Sequence, residues 1–403
     1  MTAFAPLDLA RARAGLRALS LAGRELLPIV QGGMGVGVSA HRLAGAVAAQ
    51  GGVGTISSVD LRRHHPDLMA RSEGLPENET KKAVIQAANQ EALAREIQAA
   101  REIAKGAGLV AVNVMRAVSD YAASIKTALE NGIDAVVVGA GLPLDLPGLA
   151  KDHPKAALIP ILSDARGVAL VLKKWERQQR LPDAIVIEHP RHAAGHLGAA
   201  KIADLDDPRF EFETVLPAVR QLLRDAGVEG RVPLIAAGGI RRCEDIQRVQ
   251  ALGADAAQLG TAFVATEECD ADIEFKRVLA GAREEDLVEI TSVAGLPARA
   301  VLTPWLKKYL SAEARLQAVA QVKSRCTLAF DCLQQCGLRD GLKGWGQFCI
   351  DQRLAAALRG DTRGGLFFRG RGGMPFGEHI TSVRQLMERL LTPGIALGTA
   401  PGA

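Results

Sequence analysis

The stretch "VPLIAAGGIRRCEDIQRVQALGADAAQLGTAF", residues 232–263, holds two short apolar runs separated by a longer helix-like segment. Both runs lead into glycine, at Gly238 and Gly239 after the first and at Gly260 after the second. Short runs that are apolar on both faces are typical of parallel strands covered by helices. The stretch therefore predicts a strand-helix-strand unit whose strands end in glycine-rich loops.

The same pattern repeats through the preceding part of the chain. Eight candidate strands result, at residues 28–34, 52–58, 109–115, 134–141, 157–163, 183–189, 232–239 and 256–260. Eight strand-then-helix units over about 260 residues predict an α/β fold of the (β/α)8, or TIM, barrel type, with the chemistry at the carboxyl ends of the strands. An open, doubly wound sheet is the competing architecture. Glycine-bearing loops follow many of the strands and not only the first, which favours the barrel.

Composition narrows the class of protein. The 403-residue chain is 48% hydrophobic, with a formal net charge of +4. This charge is too weak to indicate nucleic acid or a membrane surface as a partner, and no apolar run reaches the ~20 residues of a membrane helix. We expect a soluble cytoplasmic protein with a small-molecule substrate, either monomeric or homo-oligomeric. Its six cysteines are then thiols or metal ligands before they are disulfides.

The chain divides into four expected parts. They are an N-terminal lead-in helix over residues 1–24, the barrel over 25–294, a smaller and mainly helical extension over 295–390, and a disordered tail over 391–403. The lead-in alternates arginine with leucine and alanine at helical spacing and lacks a continuous apolar core, so it does not resemble a signal peptide.

The glycines after the last two strands indicate a phosphate site. Gly238 and Gly239 free backbone N–H groups, and Gly260 and Thr261 open a short helix. Barrels often bind a phosphate between these two loops. The pattern predicts a phosphorylated cofactor or substrate, although it does not separate FMN from a nucleotide or a sugar phosphate. The alternative is that the glycines serve turn geometry alone.

Six motifs, in this order along the chain, resemble the nitronate monooxygenase family: "PIVQGGM" (28–34), "AVNVM" (111–115), "VVGAGLP" (137–143), "GHLG" (195–198), "AAGGI" (236–240) and "QLGTAF" (258–263). They are also similar to the flavin-dependent enoyl-acyl-carrier-protein reductases and quinone reductases of the same superfamily. The resemblance covers about residues 25–300. It implies an FMN-binding barrel with a small extra domain.

The resemblance also implies roles for single residues. It places Gln31, Gly32, Gly33 and Met34 at the edge of the flavin ring, Asn113 and Gly195 against the cofactor, and Gly238, Gly239, Gly260 and Thr261 on the phosphate. Two positions depart from the family pattern. Ala262 stands where relatives commonly carry an arginine, which removes a phosphate partner, and Ala194 stands where they carry a glycine.

The stretch "EHPRHAAGHLGAA", residues 188–200, contains the histidine that the resemblance implies to be catalytic, His196. An imidazole titrates near neutrality and can take or give a proton. Glycines on both sides allow the backbone to hold it close to a planar ring. The alternative is a loop histidine that only binds backbone carbonyls. We interpret His189 and His192 as structural or surface residues, with the mouth of the pocket as the alternative position for His192. We interpret Glu188 as a residue that orients the loop or holds a cation.

The C-terminal third carries a cysteine cluster, Cys326, Cys332, Cys336 and Cys349. Thiolates at this density can bind zinc or an iron–sulfur cluster, but the spacing matches neither a zinc ribbon nor the usual ferredoxin run. Cys332 and Cys336 are four residues apart and would share one helix face. Buried thiols and a redox disulfide are the alternatives.

A glycine- and arginine-rich loop follows at residues 360–373. It could close over the cofactor or hold the phosphates of a pyridine nucleotide, but we favour a solvated loop or a subunit contact.

These observations lead to three functional hypotheses. The first is FMN-dependent oxidation of alkyl nitronates by O2, with His196 as the catalytic acid or base beside the flavin. The second is an NAD(P)H-dependent enoyl-thioester or quinone reductase on the same scaffold. The third is a non-catalytic module that binds flavin or phosphate. The His196 loop argues against the third.

Overall fold

A computed structural model describes residues 5–323, 326–328 and 330–400. The central feature is a closed barrel of eight parallel strands. All eight predicted strands are confirmed, and the predicted TIM barrel with them. In chain order the strands are β1 (Leu19–Leu21), β2 (Arg24–Leu26), β3 (Ile29–Gln31), β4 (Val53–Ser57), β5 (Leu109–Met115), β6 (Ala135–Gly139), β7 (Ala157–Leu162), β8 (Ile185–Glu188), β9 (Gly195–His196), β10 (Leu234–Ala237), β11 (Ala256–Leu259), β12 (Leu287–Thr291) and β13 (Pro297–Val301). Around the barrel the strands follow the order β3-β4-β5-β6-β7-β8-β10-β11.

Helices cover the outside of the barrel and build the C-terminal extension. They are α1 (Ala5–Arg13), α2 (His41–Ala49), α3 (Pro66–Ala70), α4 (Glu79–Ala104), α5 (Tyr121–Glu130), α6 (Leu146–Leu149), α7 (Ala165–Glu176), α8 (Phe212–Asp225), α9 (Cys243–Ala251), α10 (Thr261–Val264), α11 (Ile273–Gly281), α12 (Pro304–Ala318), α13 (Gly337–Asp340), α14 (Ile350–Leu358) and α15 (Val383–Leu390). Short 3-10 turns lie at Leu61–His64, Ile202–Asp204, Pro208–Phe210 and Glu284–Asp286.

Side chains that point into the barrel form a core of their own. Along β5, Leu109 and Ala111 face this interior, whereas Val110 and Val112 face the surrounding helices. The two-residue alternation of a strand accounts for the division. The same alternation continues to the carboxyl end of each strand. The last side chain on the inward-facing side therefore points into the space above the barrel. Asn113 on β5 is one such residue.

The amino end of the barrel is closed by a hairpin. Strands β1 and β2 pair antiparallel, and the turn between them is Ala22-Gly23, both with positive φ, as a tight two-residue hairpin requires. Leu19 and Leu21 of the hairpin pack into the barrel interior. The predicted lead-in helix over 1–24 is therefore corrected. The helix ends at Arg13, the hairpin follows, and residues 1–4 lie outside the described residues.

The C-terminal extension starts as a strand and not as a helix. β13 pairs antiparallel with β12 on one side and with the two-residue strand β9 on the other. Helices α12 to α15 follow, joined by long loops. In the predicted tail, residues 391–400 are described as turns and loop, while 401–403 lie outside the described residues. Within the described ranges, no helix is long and apolar enough to cross a membrane.

Candidate active site

A cavity of about 300 Å³ lies at the carboxyl ends of the barrel strands. It is lined by nearly all of the residues that the sequence assigned to a site: Gly32, Gly33, Met34, Asn113, Gly195, His196, Gly238, Gly239, Gly260 and Thr261. Loops that are distant in sequence thus meet at one rim, as a TIM barrel requires. The extension completes the wall with residues from the cysteine region, from α14 and from the glycine-arginine loop.

Gln31 is the exception among the predicted cofactor residues. Val30 points into the barrel interior, so Gln31, its neighbour on the strand, points outward and is fully buried. Its side-chain oxygen accepts a hydrogen bond from the Thr55 N–H at 2.8 Å. The predicted contact of Gln31 with the flavin edge is therefore not formed by this side chain, which instead links β3 to β4.

Two of the glycines allow close approaches that shape the cavity. A Cβ built on Gly33 would overlap the side chain of Asn113. A Cβ on Gly239, whose φ is +74°, would lie 3.0 Å from the ring of His192. Larger residues at these positions would push the walls apart, so the glycines have a packing role beyond turn geometry.

The end of the cavity that carries Gly238, Gly239, Gly260 and Thr261 is covered by residues 370–373, which we call the strap. The Gly370 N–H donates to the Thr261 hydroxyl at 3.1 Å, and the Arg371 N–H donates to the His192 carbonyl at 3.3 Å. This part of the loop is therefore bound to the barrel, although Arg371 and Gly373 remain exposed to solvent. The last residues of the glycine-arginine loop close on the βα loops of the barrel, while Arg359 and Arg363 remain exposed.

His196 lies on β9, where it pairs with Ala298 of β13. Its Nε2 is 3.0 Å from the hydroxyl of Ser292, which also accepts the Ala294 N–H at 3.2 Å. Burial lowers the pKa of His196 to about 4. The ring is therefore neutral at pH 7, and among the described residues Nδ1 has no hydrogen-bond partner. The site thus offers one free imidazole nitrogen.

Glu188 brings a carboxyl group into the same cavity. Val186 points into the barrel interior, and Glu188, two residues further along β8, continues that face upward. Burial raises the pKa of Glu188 to about 7. A Cβ on Gly198, whose φ is +69°, would overlap the Ser163 hydroxyl and lie 3.6 Å from Glu188 Oε2. Gly198 thus lets the His196 loop pass directly over Ser163 and Glu188.

The two other histidines of this loop have different environments. His189 is buried, with Nε2 3.2 Å from Glu211, so it is structural as predicted. His192 lies in the cavity wall with its ring 4.6 Å from that of His189. Burial lowers the pKa of His192 to about 4, so both cavity histidines are uncharged at neutral pH.

Three residues at or next to the cavity were not predicted from the sequence. Ser292 and Arg299 lie about a hundred residues from the loop that they hold. Arg299 is fully buried, donates to the Ala193 carbonyl at 2.6 Å and pairs with Glu289 at 3.0 Å. No local signal could have found either residue. Arg241 lines the cavity, and its position directly after the motif "AAGGI" was a usable signal.

The predicted cysteine site is not formed. No group of three or more His, Cys, Asp or Glu suited to a metal ion occurs in the described part of the chain, and all six cysteines are free thiols. Cys332 and Cys336 do not share a helix face. The Cys332 carbonyl accepts the Ser119 N–H at 3.2 Å, which holds this segment extended along the loop after β5, and Cys336 precedes α13. Burial raises the pKa of Cys332 well above its usual value, as for an inert thiol.

The fold and the site together define a class of protein. A closed parallel barrel carries, at the carboxyl ends of its strands, a cavity with glycine loops at one end and an uncharged imidazole over the barrel mouth. This arrangement is that of a barrel enzyme with a phosphorylated cofactor.

Comparison with known proteins identifies the family. Residues 23–393 match the family model for nitronate monooxygenase, and the chain therefore belongs to the nitronate monooxygenase family, a family of FMN-dependent oxidoreductases. A nitronate monooxygenase from Paraburkholderia phytofirmans is 39% identical over 164 residues, which is 38% of this chain and 42% of that protein. The chain spans about half or less of the length of the curated relatives that it matches first.

Two solved structures share the fold. One is FabK from Thermotoga maritima, with a TM-score of 0.62 and 22% identity over 90% of this chain and 91% of that one. The other is the nitroalkane oxidase from Streptomyces ansochromogenes, with a TM-score of 0.61 and 22% identity over 94% of this chain and 96% of that one. At this level of identity the comparison supports the architecture alone.

Proposed function

We propose that the chain is a nitronate monooxygenase that oxidises alkyl nitronates with O2 and uses FMN. The observation that carries the proposal is the position of His196. A neutral imidazole with one free nitrogen faces a cavity whose far end is built from glycine loops of the kind that hold phosphate. Family membership supports the same activity.

The residues present fit FMN. Gly238 and Gly239 have φ values of +106° and +74° and form a tight turn at the cavity wall, where a side chain would meet His189 or His192. They would hold the phosphate together with Gly260 and Thr261, while Gly32, Gly33, Met34 and Asn113 would contact the flavin ring. FMN, when bound, supplies a ring that accepts electrons.

The neutral ring of His196 can interact with the substrate in either of its two tautomers. If Ser292 accepts from the Nε2–H, Nδ1 is free to take the α-proton of a nitroalkane. If the Ser292 hydroxyl donates to Nε2, Nδ1 carries the proton and can donate a hydrogen bond to a nitronate oxygen. Both forms are neutral, in keeping with the lowered pKa of His196.

The first experiment separates binding from turnover. We expect His196→Ala to retain bound FMN and to lose most of its turnover with an alkyl nitronate, typically by a factor of about 10² or more for a lost acid–base group. His153→Ala, which alters a histidine outside the cavity, serves as the matched control. Unchanged nitronate kinetics in His196→Ala would refute the assignment of His196.

The second experiment separates the proposal from the reductase hypothesis. The FMN-loaded protein is mixed anaerobically with NADPH, with NADH or with a nitronate, and the visible flavin absorbance is followed. Bleaching by the nitronate alone supports the monooxygenase. Rapid bleaching by a pyridine nucleotide favours the enoyl-thioester or quinone reductase, and no bleaching by any of the three favours the non-catalytic module.

We also propose a cytoplasmic location, because a reducing compartment would keep all six cysteines as free thiols.

A further inference from the structure

At the end of the cavity that carries the glycine loops, two arginines line the wall, and one of them, Arg241, has no carboxylate partner among the described residues. Arg371 pairs with Glu289 at 2.9 Å and with Glu284 at 3.4 Å. Arg241 forms no ion pair with any carboxylate in the described ranges. Its side-chain Nε donates to the Gly239 carbonyl at 3.3 Å, which leaves both terminal nitrogens of the guanidinium free. Arg241 is therefore the positive charge available to an anion at this end.

The strap lies directly against this guanidinium. A Cβ built on Gly372, whose φ is +93°, would overlap Nη1 of Arg241. The Gly372 N–H donates to Glu284 at 3.0 Å, and Gly370 is bound to Thr261, so the strap is fixed on both sides of the contact. Glycine at position 372 thus allows a main-chain segment to cover the side chain of Arg241.

We propose that Arg241 binds the phosphate group of the cofactor. This inference rests on the proposed function, because it assumes that the cavity binds FMN. A guanidinium suits a phosphate dianion, since its planar donors form paired hydrogen bonds to two oxygens. The glycine turn at 238–239, the Thr261 loop and Arg241 then surround the phosphate, and the strap closes over it.

The surrounding charges are compatible with this role. The carboxylates bound to the strap, Glu284 and Glu289, are matched by Arg371 and Arg299. Asp245 accepts the backbone N–H of Arg241 at 2.9 Å and is paired with the side chain of Arg242 at 3.8 Å. His192 on the opposite wall has a lowered pKa and is neutral at pH 7. The charge that remains for a ligand at this end is that of Arg241.

The test compares two flavins that differ only in the phosphate. Apoprotein is titrated with FMN and with riboflavin, and Kd is measured from the quenching of flavin fluorescence. For Arg241→Gln we expect the FMN Kd to rise roughly 10- to 100-fold, the effect of one charged hydrogen-bonding group, and the riboflavin Kd to change less than about twofold. Arg241→Lys should recover part of the FMN affinity. Gly372→Ala should weaken FMN binding in the same selective way.

Arg242→Gln is the matched control. Arg242 is the next residue, is exposed and pairs loosely with Glu244 and Asp245 at 3.8 Å, so its loss should leave both Kd values unchanged. An unchanged FMN Kd in Arg241→Gln overturns the inference while the proposed function stands. Equal weakening of FMN and riboflavin also overturns it, since the effect would then be structural. A wild-type protein that binds neither flavin overturns the proposed function as well.

Discussion

Replacing Glu188 by glutamine should make the apoprotein more stable at alkaline pH. The carboxyl of Glu188 lies at the carboxyl end of β8, and burial raises its pKa from 4.5 to about 7. Between these pH values the unfolded chain releases the proton while the folded protein retains it. Stability therefore falls as the pH rises through this window and levels off above pH 7, where the folded protein holds a buried carboxylate. Glutamine has nearly the same shape and never ionises.

The magnitude follows from the two pKa values. At about 1.4 kcal/mol for each tenfold change in the acid constant, the difference between 4.5 and about 7 corresponds to about 3 kcal/mol. Glu188 borders a cavity that water can enter, so this figure is a ceiling, and we expect Glu188→Gln to be more stable than the wild type by about 1 to 3 kcal/mol at pH 8. At pH 4 the two proteins should be nearly equal.

The assay is urea unfolding of the apoprotein, followed by tryptophan fluorescence at several pH values from 4 to 8. The lowered pKa of His196 reduces stability in the opposite direction, as the pH falls from 6.5 to about 4, but it acts equally on both proteins and cancels in their difference. Glu176→Gln, on the exposed side of α7, is the control and should show no such gap. A constant difference between Glu188→Gln and the wild type at all pH values would refute the reasoning.

Three further substitutions test the contacts around the site. Ser292→Ala removes the hydrogen bond to His196 Nε2 and should lower kcat with nitronate roughly 2- to 10-fold, while the FMN Kd stays unchanged. The 15N NMR spectrum of His196 should show a changed ratio of tautomers. An unaltered spectrum would contradict a role of Ser292 in selecting the tautomer. Gly198→Ala should lower the free energy of unfolding in urea by at least about 1–2 kcal/mol, because the φ of this residue is +69° and the new Cβ would overlap Ser163. The same change at Gly227, which also has a positive φ but lies in open space, should lower it only by the strain of the backbone. Arg299→Met removes the donor to the Ala193 carbonyl and should destabilise the protein by about 2–3 kcal/mol, and a loss below about 0.5 kcal/mol would show that the buried cation is dispensable.

The barrel was predictable because its signals are local. Each strand is a short apolar run of its own, and glycine-bearing loops follow many of them, so the eight strands could be located one at a time. The hairpin β1–β2 was missed because its strands are three residues each and include Ser20, Arg24 and Glu25, which mask the apolar alternation. It became a strand pair because its leucines close the amino end of the barrel, a feature that the local pattern does not contain.

A site residue was predictable only where the signal for its role lies in its own loop. His196 and the phosphate glycines are of this kind. Ser292 reaches His196 across 96 residues, through the pairing of β9 with β13, and β9 has only two residues. The prediction for the side chain of Gln31 was wrong for another reason. A shift of one residue along a strand reverses the direction of a side chain, and the end of β3 could not be located to within one residue from the sequence.

The two shifted pKa values in the cavity also predict how substrate binding depends on pH. His196 is neutral above a pKa of about 4, and Glu188 is neutral below a pKa of about 7, so between these values neither group at the barrel mouth is charged. A nitronate is an anion, and above pH 7 it would meet the Glu188 carboxylate. At an effective dielectric constant of about 20, two like charges about 8 Å apart repel each other by about 2 kcal/mol, so a nitronate bound at that separation from Glu188 would have its KM raised more than tenfold. We therefore expect KM for a nitronate to rise between pH 6 and 9 in the wild type and to stay level in Glu188→Gln. An enoyl thioester has no charge at its reacting carbon, so equal and flat KM profiles for both proteins would count against an anionic substrate in this cavity.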